Sequence, residues 1–263
     1  MLLRALLMGM RECKSIQGQA AAGVQISGSF PGRHCLSVTR EKAVFDEWPE
    51  KYDRWFETPI GSLVKKYESE LMLDFLKPSP GEVILDAGCG TGVFTGDIIS
   101  SGSKVVGLDI SFPMLLRAKG KVRGSPFHPM LGDISALPFH AESFDKIVSV
   151  TALEFIVDAK SAGAELFRVA RRGGVVVVAA LNSRGPWAER RKEEAKKGHA
   201  IFSRAVLRSP EELLSLSSAE GVARTAVHFA KEIPPEEAVE TEREGKARGS
   251  MSGAFAAVRW LKP

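Results

Sequence analysis

The sequence predicts an α/β protein with a doubly wound, mostly parallel seven-stranded sheet, an antiparallel edge hairpin and an N-terminal helical cap. Three observations lead to this prediction: short apolar runs alternate with segments of helical periodicity, a glycine-rich turn follows the first of these runs directly, and two further strand-like segments lie near the end of the chain. Strands buried on both faces are apolar throughout and alternate with helices along the chain. Right-handed crossovers then place helices on both faces of one sheet.

The composition limits the class of protein. The chain has 263 residues, of which 44% are hydrophobic and 26% charged, as in ordinary globular proteins. No run reaches the roughly 18 apolar residues that a membrane-spanning helix needs. Three scattered cysteines form neither a disulfide framework nor a zinc motif, so we expect a reducing, cytoplasmic location. The formal charge of +4 is carried entirely by residues 1–42, so the neutral remainder makes a nucleic-acid partner unlikely on charge grounds.

Residues 1–42 have no sustained periodicity and are rich in Gly, Ser, Gln and Ala. We therefore predict a disordered extension there, followed by a single domain of residues 43–263. A transit peptide, an export signal and a start at Met8 or Met10 are the alternatives for this extension.

Each element of the predicted domain has its own pattern. Aromatic and aliphatic residues recur at three- and four-residue steps from Phe45 to Phe75, which predicts a helical cap, residues 43–80, made of two helices broken near Pro59. The core, residues 81–181, has strands at 83–85, 105–108, 147–150 and 175–180, a weaker strand at 126–132, and helices near 92–100, 112–122 and 158–170. A basic helical insert, residues 182–208, follows the core. The C-terminal part, residues 209–263, has a predicted helix at 210–219, a strand at 222–230, a polar Pro-Glu loop and a last strand at 253–261.

The sharpest motif is V-I-L-D-A-G-C-G-T-G, residues 83–92, an apolar strand that runs into a glycine-rich turn. Glycines permit positive φ and a close approach of ligand, and the following helix N-terminus favours an anionic group. A dinucleotide fingerprint would need Gly or Ala at position 93, where this chain has Val93. Asp109 ends the second strand 21 residues after Gly88, a spacing typical of a carboxylate that binds ribose hydroxyls.

Five motifs in order resemble those of class I S-adenosylmethionine-dependent methyltransferases, close to the type 11 small-molecule group, over roughly residues 45–260. The motifs are D-A-G-C-G-T-G (86–92), G-L-D-I-S-F-P-M-L (107–115), G-D-I-S-A-L-P-F (132–139), S-F-D-K-I-V-S-V-T-A-L-E-F (143–155) and R-V-A-R-R-G-G (168–174). The resemblance implies a Rossmann-like fold and S-adenosylmethionine as cofactor, with S-adenosylhomocysteine as product.

The resemblance also implies roles for individual residues. In this interpretation Asp86 binds the amino group of the cofactor, Asp109 binds the ribose hydroxyls, and Met114 packs on the adenine. Ile110, next to Asp109, is a further predicted cofactor-binding residue. The remaining predicted cofactor-binding residues are Gly88, Cys89, Gly90, Thr91 and Gly92 along the methionine part, Asp133 and Ile134 at the adenine edge, Thr151 beside the sulfonium, and Tyr52 with Trp55 as a cap. Plain core packing for Met114, Tyr52 and Trp55, and turn capping for Asp133, are the alternatives.

Methyl transfer from a sulfonium is an in-line displacement, so alignment of the two reactants supplies most of the catalysis and a base is optional. Glu154, just after the fourth strand, is the best-placed candidate for a catalytic base, and the alternative is a solvated or helix-capping glutamate. His128 and His140 are further candidates at the same rim, whereas His228 looks incidental.

The acceptor is narrowed by motifs that the chain lacks. There is no Asn-Pro-Pro-aromatic motif after the fourth strand, no Pro-Cys nucleophile and no metal triad, which favours a small-molecule acceptor. The insert carries eight basic residues against three glutamates, which suits either an acidic or lipid-like acceptor or a solvated helix with i,i+4 ion pairs. A methyltransferase of RNA or protein, a non-catalytic S-adenosylmethionine-binding protein and a nucleotide-dependent oxidoreductase are the competing hypotheses.

Overall fold

The computed structural model describes residues 43–263, together with the backbone of a short antiparallel pair of strands, Val24–Gln25 and Thr39–Arg40. The predicted disordered extension, residues 1–42, otherwise lies outside the described residues. In the described part of the chain, no helix combines the length and the apolar character needed to cross a membrane.

Seven strands within residues 43–263 form one sheet: β1 (Val83–Ala87), β2 (Lys104–Asp109), β3 (Phe127–Leu131), β4 (Phe144–Val150), β5 (Ala170–Leu181), β6 (Gly221–Ala226) and β7 (Phe255–Leu261). Their order across the sheet is β3-β2-β1-β4-β5-β7-β6. Strands β1 to β5 are parallel to one another, and β7 is antiparallel to both β5 and β6. This confirms the predicted mostly parallel sheet, including the weaker third strand.

The helices connect these strands in the predicted alternation. The cap helices are separated at Thr58, whose hydroxyl accepts a hydrogen bond from the Gly61 N–H and so caps the second helix, with Pro59 in its first turn. The helices are α1 (Pro49–Glu57), α2 (Pro59–Leu76), α3 (Thr95–Ile99), α4 (Phe112–Lys121), α5 (Ala159–Val169), α6 (Ala188–Lys196), α7 (Pro210–Leu214) and α8 (Pro235–Ala247).

The prediction of a polar Pro-Glu loop is wrong, because that segment forms the 13-residue helix α8. Its sequence suits a helix physically: prolines open it, Glu236 and Glu237 lie in the first turn and Lys246 in the last, so its charges oppose the helix dipole. Burial of Ala238 and Glu242 then fixes the helix against the body. Because α8 connects β6 to β7, and β7 lies between β5 and β6, the antiparallel pair is not a tight hairpin and its edge strand is β6.

Successive residues of the central strands point to opposite faces, and each face is covered by its own apolar layer. On one face Ile84 packs in a cluster with Met72 and Leu76 of α2. On the other face Leu85 packs in a cluster with Leu166 of α5. This arrangement explains why β1 is buried along its whole length, and it leaves the carboxyl ends of the strands as the edge where a ligand can bind.

Candidate active site

A pocket of about 850 Å³ lies at the carboxyl ends of β1, β2 and β4, where the strand order reverses. This volume is within the range of small-molecule and cofactor sites. The structure brings most of the predicted cofactor-binding residues together in its lining: Tyr52, Asp86, Gly88, Cys89, Gly90, Asp109, Ile110, Met114, Asp133, Ile134 and Thr151.

The glycine turn forms the floor of this pocket. Gly88 has a φ of 81° and Gly90 a φ of 53°, a region that L-residues other than glycine rarely adopt. The N–H groups of Gly88 and Cys89 both donate to the Leu108 carbonyl, at 2.7 and 3.1 Å, which binds the turn to β2. A Cβ on Gly88 would lie 2.4 Å from the Cβ of Ala152, so glycine is also required there for packing.

Two carboxylates face the pocket from the ends of β1 and β2. Asp86 is buried and accepts a 2.6 Å hydrogen bond from the Thr95 hydroxyl. Burial, together with the nearby Asp109 charge, raises the pKa of Asp86 to about 7. Asp109 accepts hydrogen bonds from the N–H groups of Gly90 at 2.8 Å and Ser111 at 2.7 Å, so its orientation is fixed by the turn and by the start of α4.

An apolar slot lies beside these carboxylates. Ile110 is half exposed at the mouth, whereas Met114 and Ile134 are buried. Asp133 is exposed and accepts a 2.8 Å hydrogen bond from the Ser135 N–H, which caps the short 3-10 helix at 134–136. The capping role proposed as the alternative for Asp133 is therefore real, and it coexists with a position in the pocket lining.

The structure places three predicted residues elsewhere. Thr91 turns away from the pocket and donates a 2.6 Å hydrogen bond to Asp53, while Gly92 faces Ala118 of α4. After Gly90 the chain packs against α4, so only the first part of the glycine motif reaches the pocket. Trp55 makes edge-on contacts with Phe56 and Trp187 and does not line the pocket, in agreement with the packing alternative.

Glu154 also differs from its predicted catalytic role. It is fully buried, its Oε1 accepts a 2.6 Å hydrogen bond from the Leu181 N–H, and burial raises its pKa. Its neighbours Ala152 and Phe155 line the pocket, but Glu154 does not. A carboxylate enclosed in this way does not reach a pocket ligand directly. The histidine candidates, His128 and His140, also lie outside the lining.

One wall of the pocket was missed by sequence reasoning. It is apolar and combines the segment before α1 with the turn after β4, where the rings of Phe45 and Phe155 meet edge to face with centroids 4.7 Å apart. Aromatic periodicity assigned Phe45 to the first helix, but that helix begins at Pro49. The other apolar residues of this wall are Val44, Ile156 and Val157.

The basic insert supports this wall from behind. Its Val206 N–H donates to the Glu154 carbonyl at 2.8 Å, and Arg208 donates to the Leu153 carbonyl at 2.9 Å. Several of its cations are neutralised locally: Arg190 by Glu194, Lys192 by Glu189 and Arg184 by Glu211. These contacts favour the interpretation of the insert as a solvated helix with internal ion pairs over its interpretation as a basic surface that binds an acidic or lipid-like acceptor.

The fold and the pocket define a Rossmann-like protein whose pocket combines a glycine turn after β1 with a carboxylate, Asp109, at the end of β2. Residues 85–178 match the family model described as a methyltransferase domain. The chain is 37% identical over 118 residues to malonyl-acyl-carrier-protein O-methyltransferase of Salmonella typhimurium, which covers 45% of this chain and 46% of that protein. It is 34% identical over 137 residues to demethylmenaquinone methyltransferase of Renibacterium salmoninarum, covering 52% and 56%. The chain thus spans about half the length of these relatives.

The likeness in fold extends further along the chain. A Thermotoga maritima structure described as a possible histamine N-methyltransferase has a TM-score of 0.61 at 22% identity and covers 84% of this chain and 99% of its own. A Haemonchus contortus phosphoethanolamine N-methyltransferase 2 in complex with S-adenosylmethionine has a TM-score of 0.58 at 19% identity, covering 82% and 60%. These solved structures share the Rossmann-like methyltransferase fold with this chain, and residues 85–178 resemble a methyltransferase domain in sequence.

Proposed function

We propose that this protein transfers the methyl group of S-adenosylmethionine to a small, apolar and uncharged acceptor. The observation that carries the choice of acceptor is the pocket lining: within residues 43–263 it contains no lysine, arginine or histidine, and its outer wall is built from Phe45, Phe155, Ile156 and Val157. Such a wall desolvates an apolar molecule favourably, whereas a carboxylate would lose its hydration without gaining a cationic partner.

The residues at the inner end fit the cofactor by their chemistry. An ionised Asp86 suits a ligand ammonium, and Asp109 carries acceptor oxygens for ribose hydroxyls. The apolar slot of Ile110, Met114 and Ile134 suits a flat base. The remaining volume towards Phe45 and Phe155 then receives the acceptor. S-adenosylmethionine supplies an already activated methyl group, which leaves positioning as the main task of the protein.

The residues of the chain support alignment rather than acid–base work. No histidine lines the described pocket, and the buried Glu154 is directed at the Leu181 backbone. The acceptor atom forms its bond to the methyl carbon as the bond between that carbon and the sulfonium breaks, and the proton displaced from the acceptor atom leaves to solvent. An acceptor that ionises easily at this atom needs no dedicated base.

The two named relatives act on different kinds of molecule. One name specifies a malonyl thioester, which carries a carboxylate, and the other specifies a menaquinone precursor, which is apolar. The cation-free lining of the described pocket favours the second kind for this chain. The same lining disfavours an acidic acceptor, although the charge of the basic insert alone suits one. A cytoplasmic location, consistent with the free buried Cys89, is part of the same proposal.

The test compares two acceptor probes with radiolabelled S-adenosylmethionine. Calorimetry with S-adenosylhomocysteine first establishes the cofactor site. We then expect methylation of 1,4-dihydroxynaphthalene and none of malonyl-N-acetylcysteamine. Methylation of the malonyl thioester would overturn the acceptor class and keep the methyltransferase activity. A folded protein that binds no S-adenosylhomocysteine would overturn the proposed function itself.

A further inference from the structure

The segment before α1 forms one half of the outer pocket wall, and its position depends on Trp48. Ala43, Val44 and Phe45 of this segment line the pocket. The Trp48 N–H donates to the Phe45 carbonyl at 3.0 Å, and the Trp48 carbonyl accepts from the Tyr52 N–H at 2.9 Å. Trp48 therefore joins the lining segment to the first turn of α1, and a contact that holds Trp48 also holds Phe45.

The Trp48 ring contacts His199 of the basic insert. The two ring centroids are 5.7 Å apart, and the ring planes are inclined at 48°. The His199 ring in turn stacks on Phe202, with centroids 4.6 Å apart and planes at 29°. Both separations are within the range of favourable contacts between aromatic rings. The ammonium of Lys51 also lies 5.0 Å from the centroid of Trp48. The insert therefore reaches the segment before α1 through a row of three rings.

The orientation of the His199 ring is fixed from within the insert. Its Nδ1 accepts hydrogen bonds from the N–H groups of Ile201 at 3.3 Å and Phe202 at 3.4 Å. Its backbone N–H donates to the Glu194 carbonyl in the last turn of α6 at 3.0 Å. The side chain of Ile201 is buried, so this part of the insert is anchored to the body of the protein. His199 is therefore a partly buried ring with a defined direction.

The same part of the insert also holds the other half of the wall. The Val206 N–H donates to the Glu154 carbonyl at 2.8 Å. Phe155, the next residue, lines the pocket, and its ring meets that of Phe45 with centroids 4.7 Å apart. Residues 199–206 thus contact both halves of the outer wall, although none of them belongs to the described pocket lining.

We propose that His199 is a positioning residue for the acceptor: through its contact with Trp48 it holds Phe45 against Phe155 in the outer wall of the pocket. The inference rests on the proposed function and gives the insert a role in acceptor binding that does not depend on its charge. A contact between two aromatic rings changes an equilibrium constant about two- to tenfold. Its loss frees the segment before α1 and weakens acceptor binding, whereas the glycine turn at the cofactor end keeps its own contacts with β2.

The experiment uses the full chain saturated with S-adenosylhomocysteine and measures the binding of 1-naphthol, an apolar probe of the acceptor end, by calorimetry. His199→Ala should weaken 1-naphthol binding about three- to tenfold and leave the affinity for S-adenosylhomocysteine within about twofold. His199→Phe keeps a ring beside Trp48 and should bind 1-naphthol within about twofold of the wild type. His140→Ala is the matched control, because His140 is exposed and lies outside the pocket lining, so neither affinity should change.

Hydrogen exchange over residues 43–48 gives a second readout, which needs no probe. The N–H groups of Asp46 and Trp48 are hydrogen-bonded within this segment, and His199→Ala should accelerate their exchange without affecting the glycine turn. Trp48→Leu should have the same effects as His199→Ala. Because both substitutions remove one contact, the combined variant should bind 1-naphthol no more weakly than either single variant. Trp48→Leu carries the test if His199→Ala does not fold.

The possible results separate the inference from the proposed function. Unchanged 1-naphthol binding in His199→Ala overturns the inference, as do additive losses in the combined variant or a loss in His199→Phe as large as in His199→Ala. Equal losses of affinity for 1-naphthol and S-adenosylhomocysteine also overturn it, because they indicate a general structural role. A wild type that binds S-adenosylhomocysteine but not 1-naphthol overturns the acceptor class and this inference with it. Failure of the wild type to bind S-adenosylhomocysteine indicates failure of the proposed function.

Discussion

The hydroxyl of Thr91 in the glycine motif lies 2.6 Å from Oδ1 of Asp53 on α1 and donates a hydrogen bond to it. The same carboxylate forms salt bridges with two residues of α4, Lys121 at 2.5 Å and Arg117 at 2.7 Å. One buried residue thus connects the helix that carries Tyr52, the glycine motif and the helix that carries Met114. We infer that Asp53 fixes the position of α1 relative to α4, and so the position of Tyr52 relative to Met114.

The first prediction concerns Asp53→Asn. Burial raises the pKa of Asp53, but the hydrogen bonds from Lys121, Thr91 and Arg117 outweigh it and hold the pKa below its ordinary value. The loss of this charge should destabilise the protein by about 1–2 kcal/mol, below the cost of breaking a fully buried pair because both cations are partly solvated. Urea unfolding measures this change, and calorimetry should show weaker S-adenosylhomocysteine binding.

Glu211→Gln is the matched control for that prediction. It breaks the ion pair with Arg184, in which both side chains are more than half exposed, at 57% and 56%. The unfolding free energy should change much less than it does for Asp53→Asn, because solvent screens this exposed pair. Equal effects of the two substitutions would show that the Asp53 cluster has no special role.

A second prediction compares alanine at two glycines of nearly equal φ. Gly88 has a φ of 81° and Gly81 a φ of 84°, so both substitutions carry similar backbone strain, about 1 kcal/mol or more. A Cβ at Gly81 meets nothing within 4 Å, whereas at Gly88 it would lie 2.4 Å from the Ala152 Cβ. Gly88→Ala should therefore be clearly less stable than Gly81→Ala and should lose S-adenosylhomocysteine binding. Similar melting temperatures and affinities for the two variants would contradict the packing argument.

The sequence predicted the parts of the site that depend on local pattern. An apolar strand followed by a glycine turn, and an acidic residue at the next strand end, are local signals, and both Gly88 and Asp109 line the pocket. Thr91 was misplaced because the side on which its hydroxyl lies depends on Asp53, 38 residues away. The wall formed by Phe45 and Phe155 was missed because it depends on where α1 begins and on contacts distant in sequence.

The third prediction concerns the pH dependence of cofactor binding at Asp86, whose pKa is raised to about 7. If Asp86 binds the cofactor ammonium, its ionised form is the competent one, so affinity should increase as the pH rises through 7. From pH 6 to pH 8 the ionised fraction changes about tenfold. Calorimetry with S-adenosylhomocysteine should show a gain of that order for the wild type and a flat profile for Asp86→Asn. A flat wild-type profile would remove Asp86 from the amino-group site.

The raised pKa of Asp86 also affects the stability of the unliganded protein, which should fall as the pH rises, whereas cofactor affinity should increase. The folded form binds the Asp86 proton more tightly than the unfolded form does, so this contribution to stability is full at low pH and is lost as the pH rises through about 7. The slope from one such group is at most about 1.4 kcal/mol per pH unit. Asp86→Asn should reduce this slope in urea unfolding without ligand. An unchanged slope would indicate that Asp86 is ionised throughout the range.

The fourth prediction is a loss of cofactor affinity in Asp109→Ala. Asp109 holds the N–H groups of Gly90 and Ser111, and the substitution removes both hydrogen bonds in addition to any ribose contact. We expect at least a 10-fold weaker Kd for S-adenosylhomocysteine, equivalent to about 1.4 kcal/mol. Asp158→Ala is a control, because that lining residue caps α5 through Ser161 and should affect stability more than affinity. Equal affinity losses would argue against a specific role for Asp109.

The fifth prediction concerns a buried ion pair that joins Glu242 of α8 to His228, in the segment between β6 and α8. His228, which looked incidental, has its Nδ1 3.0 Å from the Glu242 carboxylate, and both side chains are at most 4% exposed. Burial would lower the pKa of His228, but the hydrogen bond and charge of Glu242 outweigh it and raise that pKa. Burial would raise the pKa of Glu242, but its contacts with His228 hold that pKa below the ordinary value.

These shifts define a pH window for the stability that the pair contributes. The stability contributed by protonated His228 is fully present below the ordinary histidine pKa of about 6.5, and it is lost as the pH rises through the raised pKa of this residue. The stability contributed by ionised Glu242 is fully present above the ordinary glutamate pKa of about 4.3, and it is lost as the pH falls through the lowered pKa of this residue. Glu242→Gln should therefore cost about 2–4 kcal/mol near pH 5.5–6 and less at pH 9, measured by urea unfolding. Glu244→Gln, on the same helix with an exposed partner, Arg248, should cost less than about 0.5 kcal/mol at both pH values. A cost for Glu242→Gln that does not change with pH would mean that the residue contributes through packing and not through its charge.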